Sequence, residues 1–172
     1  MSLWRDRIVP ALRRRLLRVA TGRAPDKVIG GAERPYLRRW HLVPRNPLLN
    51  VYLHHFLRSD DDRALHDHPW PSCSIILAGG YDEVLATRGG TTAAGTRLAG
   101  DVVVRGARTA HRVALFAPAG PAGRIELPCW TLFLTGPRLR AWGFWCPIIG
   151  WVHWRDFTAG PNGEVVGKGC DQ

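Results

Sequence analysis

The chain has 172 residues and carries 24 Lys or Arg against 14 Asp or Glu, a formal net charge of +10. Its composition, 45% hydrophobic and 22% charged, is typical of a single globular domain with a sizeable core. The longest apolar runs are only a few residues, far short of the roughly 20 that cross a bilayer. These features exclude a helical transmembrane protein, a collagen-like chain and a wholly disordered chain.

The basic charge is concentrated at the N-terminus: residues 1–45 hold 12 basic and 3 acidic residues, whereas residues 46–172 hold 12 and 11. Apolar residues recur there every three or four positions between arginines: Trp4, Ile8, Leu12, Leu16 and Val19. This spacing predicts an amphipathic basic helix, which Pro10 either breaks or starts. Its apolar face would pack on the domain; the alternatives are binding to an acidic membrane surface or to nucleic acid.

Residues 21–35 are rich in Gly and Pro and are predicted to form a linker. Short β-like runs separated by Gly/Pro turns follow, and each is predicted to be a strand: 36–42, 50–57, 73–78, 81–87, 96–104, 111–117, 129–135, 142–145 and 151–154. Such a pattern predicts an all-β sandwich or barrel. We therefore expect a basic helix and linker over residues 1–35, a β domain over 36–157 and a flexible tail over 158–172.

The four cysteines form no C-x-x-C pair, which argues against a structural zinc site of the usual spacing. Four in 172 residues are also too few for a disulfide scaffold. The arginines at positions 13–15 are not followed by the apolar stretch that a secretory signal needs. The sequence therefore favours a reducing, cytoplasmic location.

The strongest functional pattern is His66-Asp67-His68, with His111 further along the chain. Alternate residues of a strand face the same side, so His66 and His68 would point together and Asp67 away from them. Two imidazoles placed in this way can share a metal ion. A third from another strand would leave coordination positions open for substrate or water. The sequence therefore predicts a metal site at His66, His68 and His111.

The spacing around these histidines resembles the two motifs of the cupin superfamily. Cys73 stands where cupins carry a Glu ligand, and Gly80 follows seven residues later. Gly100 and His111 have the separation of the Gly and the His in the second motif. The resemblance, which extends to small uncharacterised bacterial cupins, covers roughly residues 46–147. It implies a single RmlC-like jelly-roll β-barrel with a metal inside.

With Cys73 in place of the carboxylate, the motif is also similar to that of the thiol dioxygenases such as cysteine dioxygenase. This cupin branch holds Fe(II) with three His, the third in a stretch close to residues 110–113 here. The family's Tyr-x-Arg pair, which binds the substrate carboxylate, corresponds to Tyr36 and Arg38. The resemblance thus implies that Tyr36 and Arg38 bind substrate and that Cys73 lies near the metal; alternatively, Cys73 is a small buried hydrophobe.

The chain departs from that family in a later strand, where the family carries a His and a Tyr cross-linked to its Cys. Phe133 and Thr135 stand at those positions, so the cross-link is not expected here. Glu83 is the remaining candidate for a fourth ligand. A hairpin at residues 79–80 would place it about 10 Å from Cys73, which favours a cross-strand pair instead.

The resemblance implies a mononuclear Fe(II) dioxygenase acting on a small thiol or carboxylate, with Zn, Mn or Ni as other metals for the site. Three neutral ligands leave the charge of the ion to attract an anionic ligand. Arg108 and Arg112, beside His111, are candidates to bind it. The alternatives are a non-catalytic cupin that binds a metal or a small ligand, and a metal-independent cupin of the sugar isomerase type.

Three further groups have more than one interpretation. Strand parity leaves open whether Tyr52 and His54, or His55, line the pocket. The acidic run 60–62 is expected to be a solvated turn. The aromatic residues of the C-terminal half are expected to form core or a homodimer face, or to stack a ring-shaped ligand: Trp130, Phe133, Trp142, Phe144, Trp145, Trp151 and Trp154.

Overall fold

A basic N-terminal helix precedes the strands. The computed structural model describes residues 2–60, 64–87, 92–120, 123–159 and 167–171, with the backbone alone for 92–94. A π-helical segment, Trp4–Ile8, continues into helix α1, Val9–Gly22. Pro10 lies in the first turn of α1, where a missing N–H costs no hydrogen bond. The predicted helix is confirmed. Within the described ranges, neither helix has the length and hydropathy needed to cross a bilayer.

The remaining described residues are mostly strands, which pair antiparallel into two large sheets and one small hairpin. In chain order they are β1 Lys27–Ile29, β2 Leu37–His41, β3 Asn50–Phe56, β4 Leu65–His66, β5 Ser72–Ala78, β6 Gly80–Ala86, β7 Thr92–Leu98, β8 Val102–Arg105, β9 His111–Leu115, β10 Ala119–Gly120, β11 Gly123–Arg124, β12 Cys129–Thr135, β13 Gly143–Cys146 and β14 Gly150–His153. A short helix, α2 Trp154–Phe157, follows.

The strand order is that of a jelly roll. The first sheet runs β1-β2-β3-β12-β5-β8 and the second β14-β13-β4-β9-β6-β7. From β3 to β9 successive strands cross from one sheet to the other, except at the β6–β7 hairpin, and β12 returns between β3 and β5. This is the double Greek key of a jelly-roll barrel. The predicted all-β jelly-roll fold is confirmed.

Two details of the strand prediction need correction. The predicted run 96–104 is two strands, β7 and β8, because the chain turns at Gly100, whose φ of +93° suits glycine alone. The predicted linker 21–35 contains β1, which pairs with β2 and extends the first sheet. The division into helix, domain and tail stays a prediction.

The inner faces of the two sheets enclose one buried cluster. Ile76 of β5 and Cys129 of β12 meet Tyr81, Val113 and Leu115 of the opposite sheet. This cluster fills the closed half of the barrel. The three histidines of the predicted metal site lie on the same inner surface, toward the other end of β9.

The outer face of the first sheet is buried beneath α1. Leu12 and Leu16 of the helix pack against Trp40, Leu53 and Leu77, which alternate with inward-facing residues on β2, β3 and β5. At the start of the helix, the indole of Trp4 donates to the carbonyl of Gly100 at 2.6 Å and Arg5 pairs with Asp101. The interpretation that the apolar face of the helix packs on the domain is confirmed.

The C-terminal residues that the structure describes are attached to the barrel. Cys170 forms a disulfide with Cys146 of β13, and the amide of Gly169 donates to the carbonyl of Phe157. The cysteine count did not predict this link, and disulfides are typical of oxidising compartments. These contacts hold the chain at residues 169–170, whereas the flexible tail over 158–172 and the cytoplasmic location stay predictions.

Removing the side chain of Leu77 should weaken the attachment of α1. Leu77 is 1% exposed in the layer beneath the helix, and Leu→Ala changes at such sites cost about 2–5 kcal/mol. Urea unfolding of Leu77→Ala measures this loss. Val104→Ala, at a valine that is 76% exposed, should cost less than about 0.5 kcal/mol. Equal midpoints for the two variants would contradict the described packing.

Candidate metal centre

Three histidine side chains converge at the end of β4. His66 is its last residue, His68 follows two positions later, and His111 begins β9 as the cross-strand partner of His66. The Nε2 atoms of His68 and His111 are 2.9 Å apart. One ring nitrogen from each of the three residues lies within 4.8 Å of the others. The structure thus brings together the residues that the sequence predicts as ligands.

Burial keeps two of these histidines neutral. It lowers the pKa of His66 to about 4, although the nearby Asp60 acts in the opposite direction. Burial also lowers the pKa of His68 well below its usual range, and His66 and His111 add to this effect. At neutral pH, His66 and His68 therefore offer an unprotonated nitrogen, the form that binds a metal.

Asp67, between the two histidines, points away from them as predicted and is fully buried. Its Oδ1 accepts the amide of Gly143 at 2.9 Å, and its Oδ2 accepts the indoles of Trp145 at 3.2 Å and Trp151 at 3.0 Å. The guanidinium of Arg140 lies 2.8 Å from the same Oδ2. These contacts fasten the histidine segment to the β13–β14 hairpin.

Glu83, on the inner face of β6, lies behind His111. Its Oε1 is 3.0 Å from Nδ1 of His111 and also accepts Nε of Arg105, while its Oε2 accepts Nε of Arg97 at 2.9 Å. Burial alone would raise the pKa of Glu83, but the hydrogen bonds from His111 and Arg105 outweigh it and lower the pKa well below the usual range. The carboxylate is thus ionised and positioned to hold the ring of His111.

Asp60 occupies the equivalent position behind His66, with its Oδ2 3.8 Å from Nδ1 of that ring. The same oxygen accepts the amide of Val113 at 2.6 Å. Tyr36 also bonds to Asp60, and burial together with this acidic neighbour raises the pKa of Tyr36 well above its usual range. The side chain of Asp60 is therefore buried, and Asp60 is not part of the predicted solvated turn. Positions 61 and 62 lie outside the described residues.

Together, these contacts fit a metal centre. Glu83 lies 3.0 Å from Nδ1 of His111, and Asp60 lies 3.8 Å from Nδ1 of His66, beyond hydrogen-bond distance. Both carboxylates lie on the Nδ1 side of a ring, which leaves its Nε2 atom for an ion. No carboxylate or thiolate of the described residues completes the group, so the donor set is three imidazoles. Such a set can hold a divalent transition metal with coordination positions left open.

Cys73 does not join the histidines. Its neighbours Ser72 and Ser74 are buried on the inner face of β5, whereas Cys73 alternates with them and faces outward beside Leu134 of β12. This placement corrects the prediction that Cys73 lies near the metal. The alternation itself gives this result: His66, His68, Ser72 and Ser74 share the inward parity, so Cys73, like Asp67, faces the other side.

The three predicted substrate arginines also lie away from the histidines. Arg38 is exposed on the outer face of the first sheet, as the cross-strand partner of His55. Arg112 alternates with the buried His111 and faces outward. Arg108 is exposed in the turn before β9. Tyr36 alone among the predicted substrate residues reaches the site, through Asp60.

Of the two arginines of β2, Arg39 is the one that faces the interior of the barrel. It lies opposite His54 across the β2–β3 pair, and its Nε donates to Nε2 of His54 at 2.8 Å. Its guanidinium also lies 4.9 Å from the ring centroid of Tyr52. Parity thus turns Tyr52 and His54 inward, whereas His55 stacks on Trp130 outside. If the inward-facing positions of β2 had been assigned correctly, the sequence would have identified Arg39 as the arginine that faces the site.

The aromatic residues serve the fold and one wall of the site. Phe133 faces inward, with its ring centroid 4.9 Å from that of His54 and 6.3 Å from that of His68. Trp142 stacks on Trp154 beside the small C-terminal cluster. Phe133 thus belongs to the core as expected, whereas Trp145 is 45% exposed and the other members of the set are partly buried.

No protein-family model and no curated protein matches the chain. Among solved structures, it is similar to the DMSP lyase DddQ from Ruegeria pomeroyi, with 18% identity over 65% of this chain and 53% of the lyase, and a TM-score of 0.47. It is similar to a Klebsiella pneumoniae protein with a double-stranded β-helix domain (15% identity, 69% and 91% coverage, TM-score 0.46). A third similar structure is that of an RmlC-like cupin from Shewanella frigidimarina (14% identity, 59% and 77% coverage, TM-score 0.42).

The chain spans about half the length of the lyase. At these identities the likenesses concern the fold alone. The strand order identifies the barrel as a jelly roll, the fold that the resemblance in the motifs implies.

Neutralising Glu83 should weaken metal binding. Glu83→Gln keeps the size of the side chain but removes the charge beside Nδ1 of His111, and loss of such a partner typically costs 10–100-fold in metal affinity. Titration of the folded apoprotein with a divalent metal measures this change. The matched control is Asp82→Asn, because Asp82 alternates with Glu83 and bonds to Thr96. Equal affinities for the two variants would show that Glu83 does not position His111.

Proposed function

We propose that this protein is a metal-dependent oxygenase that holds Fe(II) with His66, His68 and His111 and acts on a small anionic substrate. The observation that carries the proposal is the convergence of three imidazoles with carboxylates behind two of them. Bound Fe(II) would supply the redox chemistry with O2 that no side chain can supply. The protein contributes binding, orientation and the electrostatic surroundings.

The chemistry of the donor set supports a divalent transition metal, because three imidazoles with open coordination positions suit several such ions. Fe(II) is the proposed ion, with Mn or Ni as further candidates, because the proposed reaction needs a redox-active metal and Zn has no redox chemistry.

The charges around the site support an anionic substrate. The candidate ligands include no carboxylate, and the negative charge of Glu83 is paired with Arg105 and Arg97. Arg39 adds a positive charge on the inner face, close enough to contribute to the lowered pKa of His68. Among the described residues, the guanidinium of Arg39 donates a hydrogen bond only through its Nε, to His54, so its other nitrogens can bind a carboxylate.

The remaining inner surface supports a substrate that is small and partly polar. Tyr52, His54 and Phe133 form an aromatic wall beside His68. The buried hydroxyls of Ser72 and Thr135, cross-strand partners on β5 and β12, have no hydrogen-bond partner among the described residues. Buried hydroxyls normally find one, so they can serve a polar group of the substrate.

Metal analysis provides the first test. Protein purified without chelator or nickel resin should contain near-stoichiometric iron, and His66→Ala should lose it, because a set of two imidazoles holds the ion far less tightly. His153→Ala, at a histidine outside the site that caps α2, is the control.

O2 uptake by the iron-loaded protein with a panel of small thiols and carboxylates then tests the reaction. Uptake that depends on His66 supports the oxygenase. Stoichiometric metal without uptake would instead favour the non-catalytic metal-binding cupin. A wild type that takes up no iron would favour the metal-independent isomerase type, whose activity survives EDTA.

Substitutions of two neighbouring arginines test whether the substrate is anionic. Arg39→Gln should weaken binding of 3-mercaptopropionate to the metal-loaded protein about 10–100-fold, because a hydrogen-bonded charge pair is lost. Arg38→Gln, one residue away on the outer face, should leave binding within about twofold. Isothermal titration calorimetry measures both. If Arg38→Gln weakens binding as much as Arg39→Gln, the inner-face assignment is wrong.

A further inference from the structure

The outer face of α1 carries a cluster of arginines with no role in the barrel. Arg5 and Arg23, at either end of the helical region, pair with Asp101 and Asp26. Between them lie five exposed arginines whose guanidinium groups have no ion pair or hydrogen bond within the described part of the chain: Arg7, Arg13, Arg14, Arg15 and Arg18. Such closely spaced, unpaired arginines either bind an anionic partner outside the molecule or remain solvated.

The fold holds these arginines in a fixed arrangement. The opposite side of α1 is packed on Trp40, Leu53 and Leu77, so the helix cannot turn or bury the charged face. Arg14 and Arg18 are four residues apart and lie one above the other, and Arg7 is seven residues before Arg14. At about 1.5 Å per residue, this row extends roughly 16 Å along the surface.

The chemistry of the surrounding residues selects the partner. Leu3 and Ile8 are 67% and 44% exposed at the start of the helix, beside Arg7. A bilayer surface accepts basic and aliphatic side chains together, whereas a nucleic-acid backbone offers nothing to the aliphatic ones. Helix α1 contains no Asn, Gln, Phe or Tyr with which to read or stack bases, and the half-buried indole of Trp4 is engaged by Gly100.

We propose that α1 is a docking face for anionic lipid bilayers. The arginines bind lipid phosphates, and Leu3 and Ile8 enter the headgroup layer. Because the apolar face of α1 stays packed on the barrel, the helix lies on the membrane without inserting deeply. This docking does not depend on the metal centre.

Vesicle sedimentation tests the docking. Wild-type protein should bind vesicles of phosphatidylcholine with 30% phosphatidylglycerol at 50 mM NaCl and should not bind pure phosphatidylcholine. The triple variant Arg7→Gln, Arg14→Gln, Arg18→Gln should lose about 100-fold in partitioning, and 500 mM NaCl should produce a similar loss. Gln retains good helix propensity, and circular dichroism confirms that α1 is intact.

The control has the same net charge but replaces exposed arginines outside α1: Arg34→Gln, Arg45→Gln, Arg124→Gln. It should change partitioning by less than about fivefold. Leu3→Ser with Ile8→Ser should weaken binding at both salt concentrations, which separates a bilayer from a purely phosphate partner. Equal losses in the two arginine triples would overturn the proposal, as would equal binding to neutral vesicles. Binding to poly(U) RNA without vesicle binding would replace lipid with nucleic acid.

Discussion

The buried carboxylate of Asp67 is the contact on which the candidate site depends. It lies between two histidines, is fully excluded from solvent, and is satisfied by the Gly143 amide and two indoles together with Arg140. A buried carboxylate without such donors would be strongly destabilising. The contact therefore directs Asp67 toward the β13–β14 hairpin, and the alternation of the chain then turns His66 and His68 inward.

The same alternation explains which parts of the site could be predicted from sequence. His66 and His68 are two residues apart, so their common direction follows from any local strand. Arg38 and Arg39 could not be told apart, because each face of β2 carries both polar and apolar residues: the outer face has the exposed Arg38 and also Trp40, which α1 covers. A strand with such mixed faces does not reveal its phase in the sequence.

Carboxylates far away in sequence complete the site, and spacing alone does not identify them. Asp60 is close to His66 along the chain but belongs to a run that looks like a solvated turn, and its burial depends on Tyr36 and Val113. Glu83 reaches His111 because β6 pairs with β9. Jelly-roll pairings of this kind connect distant segments, so the fold class was predictable while the partners behind each imidazole were not.

The pairing of acidic groups inside the barrel also explains where the net charge of the protein appears. The carboxylates of Asp67 and Glu83 are paired with donors inside the barrel, several of which are arginines distant in the sequence. Each internal pair removes one positive and one negative charge from the surface and leaves the balance of residues 46–172, 12 basic against 11 acidic, unchanged. Helix α1, by contrast, has no acidic residue. Its exposed arginines therefore form a row of positive charge that carboxylates of the same helix do not offset.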